Sequence, residues 1–286
     1  MANQPSKEDF QPNICWVVAL KSEAKPLIEI FNLQCISNIL NFPIYLNAET
    51  GHALVISGIG AAKAAAAVTY LKMFFDVQSY AAWINFGIAG YYSEPVGQLY
   101  QAVKVYDQAR NKSYFPGVRL SKILDSETLH TVAQPEKAYL QSVLFDMEAS
   151  GFCEITPTFS CNELVFVFKI VSDTRETSLD SLSKKRITSL IYQNVDEIQK
   201  IVLEVSHFVN CERERLCIPQ QVFRCFEMYH FTQTNRYKFL EVYRKWKTAF
   251  PKRILLDSMG SGNSAKELIC SLENELLIAS KDWNLT

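Results

Sequence analysis

Residues 14–24 read ICWVVALKSEA, and this stretch decides the fold. Every residue from Ile14 to Leu20 is apolar, which is typical of a strand that is buried on both faces. The polar residues that follow predict a helix from Ser22 to Phe31, with Ser22 as its N-cap. A doubly buried strand followed directly by a helix indicates a parallel or mixed sheet that is covered by helices.

The same alternation of apolar runs and helical segments continues along the chain. Buried strands are predicted at residues 53–57, 81–86, 98–106 and 164–171, and helices at residues 61–75, 146–159 and 183–208. We therefore expect an α/β fold, a three-layer sandwich with a central mixed β-sheet flanked by helices. Ligands of such folds bind at the carboxyl ends of the strands. This rule points to residues 21–23, 58–60, 172–173 and the predicted turn at 87–90.

Three segments of different character divide the chain. Residues 1–12 are polar and predict a flexible arm, residues 13–210 carry the α/β pattern, and residues 211–286 predict a helical appendage. Amphipathic helices of the appendage are expected at residues 220–229, 234–250 and 265–281, separated by Pro251, Gly260 and Gly262. The middle helix has a broad aromatic face, which core packing explains better than a partner site does.

The amino-acid composition limits which binding partners and which cellular compartment are expected. The chain has 29 lysines and arginines against 30 aspartates and glutamates, so charge does not favour a nucleic-acid or membrane partner. None of its eight cysteines has CxxC spacing, and its four histidines show no metal-ligand spacing. Residues 1–12 contain no apolar signal segment. We therefore expect a cytoplasmic protein with reduced thiols and no bound metal.

Five short motifs occur at the predicted strand ends and helix starts: Val17–Ala24, Ser57–Gly60, Ile84–Gly90, Asp146–Ser150 and Ile170–Asp173. In this order they resemble the nucleoside phosphorylase and nucleosidase superfamily, and in particular methylthioadenosine/S-adenosylhomocysteine nucleosidases. The likeness covers roughly residues 13–208, and the motif at 146–150 is its most specific part. It implies an enzyme that cleaves the N-glycosidic bond of a purine nucleoside.

The resemblance implies catalytic roles for three acidic residues. Asp173 would be the general acid that protonates purine N7, and Ser172 would orient it. Glu148 would accept hydrogen bonds from the ribose hydroxyls and stabilise the developing positive charge, with Met147 packed against the sugar. Glu23 would hold and activate the attacking water.

Close contact between the substrate and the backbone is expected at Gly58, Gly60, Gly87 and Ile88. All of these site residues also have a purely structural interpretation. Glycines form tight turns between strands and helices, and an aspartate such as Asp173 often caps a helix. Glutamates such as Glu23 and Glu148 are favoured in the first turn of a helix by its dipole.

The resemblance favours hydrolysis over phosphorolysis. Phosphorylase relatives hold phosphate with an arginine from the strand before the small-residue turn and a hydroxyl from the turn itself. This chain has Asn85 and Ile88 at those positions, so a phosphate pocket of that kind is not expected. Hydrolysis requires no cofactor. Inorganic phosphate would be the co-substrate of a phosphorylase, with Lys21, Lys63 or Arg110 supplying the charge.

The ligand is less defined than the reaction. Tyr114, Phe115 or Tyr139 could stack on the base, and the 5′ substituent is open. The resemblance implies a small-molecule nucleoside as the ligand and a homodimer or higher homo-oligomer as the assembly. The alternative outside the enzymes is a non-catalytic nucleoside-binding module with the same fold. Such a module has no need to keep all three acidic residues.

Overall fold

The computed structural model describes residues 10–93, 95–120, 122–177, 182–255 and 264–283. Most of the predicted arm lies outside these residues, and so do Gly260 and Gly262. The chain divides into two compact units, Met1–Arg215 and Leu216–Thr286. The boundary predicted at residues 210 and 211 falls inside the helix Val195–Leu216. The division into an arm at 1–12, a domain at 13–210 and an appendage at 211–286 stays a prediction.

The first unit is a mixed sheet with flanking helices, which confirms the predicted α/β class. Its elements are β1 (Ile14–Val18), α1 (Lys21–Ile30), β2 (Gln34–Ser37), β3 (Ile44–Asn47), β4 (His52–Ile56), α2 (Ala61–Phe75), β5 (Ala82–Tyr91), β6 (Leu99–Asp107), β7 (Lys112–Tyr114), β8 (Asp125–Thr131), β9 (Leu144–Asp146), α3 (Ala149–Ile155), β10 (Val165–Thr174), α4 (Lys184–Tyr192) and α5 (Val195–Leu216). Strands β4, β1, β5 and β10 pair in parallel at the centre of the sheet. The antiparallel strands β3 and β2 extend it beyond β4.

Helices cover both faces of this sheet because the central strands are apolar on both sides. On β1, Cys15 and Val17 belong to the core cluster that includes residues of α2 and α3. Trp16 and Val18 point the other way, into the cluster that includes residues of α1, α4 and α5. Burying each large apolar side chain contributes roughly 1.5–3 kcal/mol, so these two layers are the main favourable contribution to the stability of the unit.

Strands β5 and β10 continue beyond the ends of their neighbours and close part of the sheet into a ring. The last residue of β1, Val18, stands beside Phe86, while β5 runs on to Tyr91. The extended parts pair with β9 and β6, and β8 joins those two strands. The carboxyl ends of β1 and β4 therefore stand next to this ring of β5, β10, β6, β8 and β9.

Four local predictions were wrong. Ser22 does not cap α1, because the helix already begins at Lys21 and Leu20 stands at the N-cap position. Residues 87–90 belong to β5 rather than to a turn, because they pair with β10 and, at Gly90, with β9. The helix predicted at 146–159 is in fact the end of β9, a two-residue connection and the shorter helix α3. The single helix predicted at 183–208 is interrupted between α4 and α5, where the Asn194 amide donates to the carbonyl oxygen of Gly97 at 2.9 Å.

The second unit is helical, as predicted, with α6 (Gln220–Met228), α7 (Gln233–Ala249) and α8 (Ala265–Trp283). The aromatic face of α7 forms the unit's own core, where Phe239 and Trp246 are fully buried. Trp246 Nε1 donates a hydrogen bond to Glu275 Oε2 at 2.7 Å, while Tyr237 lies outside this core and is exposed. Among the described residues, none of the helices combines the length and apolar character needed to cross a bilayer.

Candidate active site

A cavity of about 280 Å³ lies where β1 and α1, β5, β10 and the β9–α3 connection meet. Six of the nine predicted site residues line it: Glu23, Ile88, Met147, Glu148, Ser172 and Asp173. The other three do not line it: Gly58, Gly60 and Gly87. The structure therefore brings the three acidic residues together from separate parts of the chain. The contacts of Gly60 and Gly87 are with two of these carboxylates.

Glu23 lies in the first turn of α1, and its carboxylate is fixed from two sides. Oε2 accepts a hydrogen bond from the backbone N–H of Leu20 at 2.8 Å, and Oε1 accepts one from the N–H of Ile88 at 2.9 Å. Gly87 permits this approach, because a Cβ at that position would lie 2.8 Å from Glu23 Oε1. Burial raises the pKa of Glu23, and the hydrogen bond from Ile88 opposes this effect.

Glu148 lies between β9 and α3, immediately before the first residue of the helix. Its Oε1 accepts a hydrogen bond from the N–H of Gly60 at 2.8 Å. Gly60 has a φ of 112°, a conformation that glycine adopts readily and other residues do not. Burial, assisted by the negative charge of Asp146, raises the pKa of Glu148 to about 7. The charge of Glu148 therefore changes near neutral pH.

A buried ion pair next to these carboxyl groups was missed by the sequence analysis. Lys169 of β10 is 2% exposed, and its Nζ lies 2.9 Å from Asp146 Oδ2. Asp146 also accepts hydrogen bonds from Thr131 Oγ1 and from the first N–H of α3, at 2.8 and 2.9 Å. Burial alone would lower the pKa of Lys169, but the charges of Asp146, Glu148 and Glu23 raise it. The lysine is thus a cation among three carboxyl groups.

Asp173 and Ser172 lie at a bulge near the end of β10. The register between β10 and β5 shifts next to Asp173, and bulges of this kind redirect side chains at functional sites. Both oxygens of Asp173 accept hydrogen bonds from hydroxyl groups, Oδ1 from Ser172 Oγ and Oδ2 from Tyr139 Oη. Tyr139 lies in the loop between β8 and β9 and lines the cavity. The other two stacking candidates, Tyr114 and Phe115, do not line it.

The wall of the cavity is acidic. The carboxyl groups that line it are those of Glu23, Glu136, Asp146, Glu148 and Asp173. Among the lining residues that the structure describes, there is no lysine, arginine or histidine. Apolar side chains near α1 and α4 complete the wall: Leu20, Leu182 and Ile187. Such a wall favours a ligand that is neutral or that gains positive charge, and it disfavours phosphate.

The residues considered for a phosphate site are not among those that line the cavity. Asn85 is buried between strands, where its Nδ2 donates to a carbonyl oxygen of β1 at 3.2 Å. Lys21, Lys63 and Arg110 do not line the cavity, and Arg110 is paired with Asp107 at 2.8 Å. No group of three or more histidines, cysteines, aspartates and glutamates in the described parts of the chain could hold a metal ion.

The sheet and the cavity define an α/β protein with an acidic cavity beside a ring of strands, and clefts of this kind are typical of small-molecule sites. Solved structures with the same fold include nucleosidases. The 5′-methylthioadenosine/S-adenosylhomocysteine nucleosidase of Helicobacter pylori is 13% identical over 68% of this chain and 100% of its own, with a TM-score of 0.57. The 5′-methylthioadenosine nucleosidase of Arabidopsis thaliana is 15% identical over 70% of this chain and 97% of its own, with a TM-score of 0.55.

Futalosine hydrolase of Helicobacter pylori is also similar, with 15% identity over 65% of this chain and 98% of its own and a TM-score of 0.52. These neighbours are members of the nucleoside phosphorylase/nucleosidase superfamily, and the chain has their fold. The resemblance noted in the sequence is thus confirmed as a likeness of fold. Comparisons with protein-family models and with curated proteins gave no match.

The raised pKa of Glu148 predicts a pH-dependent free energy of unfolding. Between its ordinary value of 4.5 and about 7, the folded protein keeps a proton that the unfolded chain has released. Stability therefore falls as the pH rises through this window. Glutamine has no ionisable group, so the Glu148→Gln variant does not lose stability in this way. At pH 8 its free energy of unfolding should exceed that of the wild type by on the order of 2–3 kcal/mol. The difference should shrink toward pH 5.

Urea denaturation of both proteins at pH 5 and pH 8 measures this difference. Glu49→Gln is a suitable control, because Glu49 is exposed and does not line the cavity. Its effect on stability should be small at both pH values. Equal stabilities of wild type and Glu148→Gln at pH 8 would show that Glu148 ionises in the folded protein without the cost that burial implies.

Proposed function

We propose that this protein hydrolyses the N-glycosidic bond of a purine nucleoside of the adenosine type. One observation carries the proposal: Glu23, Glu148 and Asp173 meet in one cavity whose described lining includes no cationic side chain. The fold supports it, because the neighbours with this fold are named as nucleosidases and as futalosine hydrolase.

The three carboxyl groups match the charges of the reaction. As the bond between C1′ and purine N9 breaks, its electron pair moves onto the base and positive charge develops on the sugar. A proton from Asp173 to N7 makes the base a neutral leaving group. Glu148 accepts hydrogen bonds from the ribose hydroxyls and stabilises the cationic sugar. Water held by Glu23 adds to C1′ and passes its proton to the glutamate, which leaves free base and free sugar.

The electrostatics of the cavity support water rather than phosphate as the nucleophile. A phosphate ion beside C1′ would approach Glu23 and Glu148 without a lining cation to offset the repulsion. Lys169 forms an ion pair with Asp146, with 2.9 Å between Lys169 Nζ and Asp146 Oδ2, and it does not line the cavity. A neutral water molecule meets no such repulsion, and a buried carboxylate is a suitable acceptor for its proton.

The cavity wall and the names of the neighbours support one substrate class over others. Leu20, Leu182 and Ile187 favour an uncharged 5′ substituent, because burying a charge against apolar side chains is costly. Methylthioadenosine fits this preference. S-adenosylhomocysteine and futalosine are the further candidates that the neighbours' names supply. The homo-oligomeric assembly and the cytoplasmic location stay predictions from the sequence.

Product analysis by chromatography tests the proposal. Purified protein is incubated with methylthioadenosine, S-adenosylhomocysteine, futalosine, adenosine and inosine, with and without phosphate. We expect free base and free sugar in the absence of phosphate, with methylthioadenosine among the substrates. Base released only with phosphate, as a sugar 1-phosphate, would establish a phosphorylase instead. Release from none of the five would leave the nucleoside-binding module as the better interpretation.

The Glu23→Gln variant should lose turnover far more than substrate binding. An amide cannot accept the proton of the attacking water, so we expect kcat to fall by about 10²- to 10⁴-fold with a small change in KM. One amide N–H would also face a backbone donor, since both Glu23 oxygens now accept N–H groups. This mismatch should lower stability by about 1–3 kcal/mol, which denaturation measures separately. An equal loss of kcat and affinity would count against a role in activating water.

A further inference from the structure

The part of the cavity next to Asp173 is occupied by a side chain of the protein itself. Tyr139 is 3% exposed, and its Oη donates a hydrogen bond to Asp173 Oδ2. Its ring lies directly against Gly90 of β5, where a Cβ would be 2.6 Å from Tyr139 Cε1. The ring of Phe145 meets it edge-on, with 5.8 Å between centroids. Backbone, aromatic edge and carboxylate thus enclose a planar ring that carries a hydrogen-bond donor.

This arrangement is incompatible with protonation of a base by Asp173. Both carboxylate oxygens already accept hydrogen bonds from Ser172 and Tyr139. Burial and the contact with Asp173 raise the pKa of Tyr139, so the phenol keeps its proton and remains the donor. A purine could reach Asp173 only if the Tyr139 hydroxyl moved away. The stacking role considered for Tyr139 does not account for this contact.

The loop that carries Tyr139 is suited to such a movement. Tyr139 has a φ of 44°, a left-handed conformation that non-glycine residues hold only when surrounding contacts enforce it. The preceding turn is held by Glu136, whose carboxylate accepts the N–H groups of Lys137 and Ala138. The next residue, Leu140, is 77% exposed. The ring contacts and the bond to Asp173 therefore hold a strained residue in place, and releasing them relieves that strain.

We propose that Tyr139 is an internal occupant of the base subsite and that a purine base binds by displacing it. The phenol ring takes the place of the planar base, and its hydroxyl takes the place of the base atom that Asp173 protonates. The proposal rests on the proposed function in one respect, the role of Asp173 as the acid. It identifies the space between Gly90 and Phe145 as the base subsite and Tyr139 as the residue that controls entry to it.

A displaced occupant predicts the opposite mutational effect from a contact residue. Removing the hydroxyl that holds Tyr139 on Asp173 makes displacement easier, so a base should bind more tightly. The net contribution of one hydrogen bond implies a decrease in the Kd for adenine of roughly two- to ten-fold in Tyr139→Phe. Tyr139→Ala, which also removes the ring, should bind adenine at least as tightly as Tyr139→Phe.

Titration calorimetry with adenine on the full-length protein measures these affinities. Tyr91→Phe is a matched control, because Tyr91 is also a buried tyrosine that donates to a carboxylate, Glu127 Oε2 at 3.1 Å, and does not line the cavity. Its affinity for adenine should equal that of the wild type. Thermal unfolding of every variant establishes that the protein is folded, and Tyr139→Phe changes the packing least.

Tighter adenine binding by Tyr139→Phe with no change in Tyr91→Phe supports the proposal. Weaker binding by Tyr139→Phe would mean that Tyr139 contacts the bound base. Unchanged binding would mean that Tyr139 has only a structural role. If neither the wild type nor any variant bound adenine, there would be no base subsite at this position. Each of these three results overturns the proposal. These binding results do not depend on turnover. Tighter adenine binding without cleavage of any nucleoside would contradict only the proposed function. Cleavage of a nucleoside together with weaker adenine binding would contradict only this inference.

Discussion

The Asp173→Asn variant is expected to lose about 10²- to 10⁴-fold in kcat on methylthioadenosine. The amide occupies the same volume but has no proton to transfer to purine N7, so the base must leave as an anion. Binding should change less than turnover, because proton transfer is made only in the transition state. Initial rates of base release over a range of substrate concentrations separate kcat from KM.

The fold should tolerate this substitution. Ser172 and Tyr139 now donate to the two oxygens of Asp173, and either hydroxyl can rotate to accept an N–H of the amide instead. Asp76→Asn is a suitable control, because the Asp76 side chain is 84% exposed on the surface. It should leave both turnover and stability nearly unchanged.

A second substrate separates acid catalysis from general damage to the site. A riboside with a 4-nitrophenolate leaving group needs no proton to depart, so Asp173→Asn should cleave it nearly as fast as the wild type does. A similar loss on this riboside and on methylthioadenosine would contradict the role of Asp173 as the acid. Near-normal turnover of methylthioadenosine would contradict it more directly.

The centre of the fold was predictable because its strands are buried on both faces. Runs such as residues 14–18 and 165–171 are almost purely apolar, and that pattern has few interpretations other than a covered parallel strand. Strand β8, with the sequence DSETLHT, could not be predicted in the same way. Its side chains are largely polar and partly exposed, and its position depends on pairing with β6 and β9. The closure of the ring is likewise a matter of long-range pairing.

Two site residues show different limits of sequence analysis. Lys169 had a usable signal, because a lone lysine inside the apolar run FVFKIV must be buried, and lysine is rarely buried without a partner. Its partner Asp146 is 23 residues away in sequence and could not be assigned before the ring was known. Tyr139 gave no comparable signal. Its contact with Asp173 depends on a left-handed residue in an irregular loop, which composition and periodicity do not encode.

The Lys169→Met variant should lower the free energy of unfolding by about 3–5 kcal/mol. The substitution keeps most of the side-chain volume but leaves the buried Asp146 carboxylate without its cation. The positive charge of Lys169 also lowers the pKa of Glu23 and of Glu148. Without it both glutamates should hold their protons to higher pH, so any residual hydrolysis should require more alkaline conditions than in the wild type.

A surface ion pair of equal length provides the control for this prediction. Lys72 lies 2.9 Å from Asp76, the same distance as in the buried pair, but Asp76 is 84% exposed. Lys72→Met should therefore cost less than about 1 kcal/mol. Adding Asp146→Asn to Lys169→Met removes the uncompensated charge, so the double variant should be more stable than the sum of the two single losses implies. Additive losses in urea denaturation would mean that Lys169 stabilises the protein through packing, and that the cation among the three carboxyl groups contributes little to the fold.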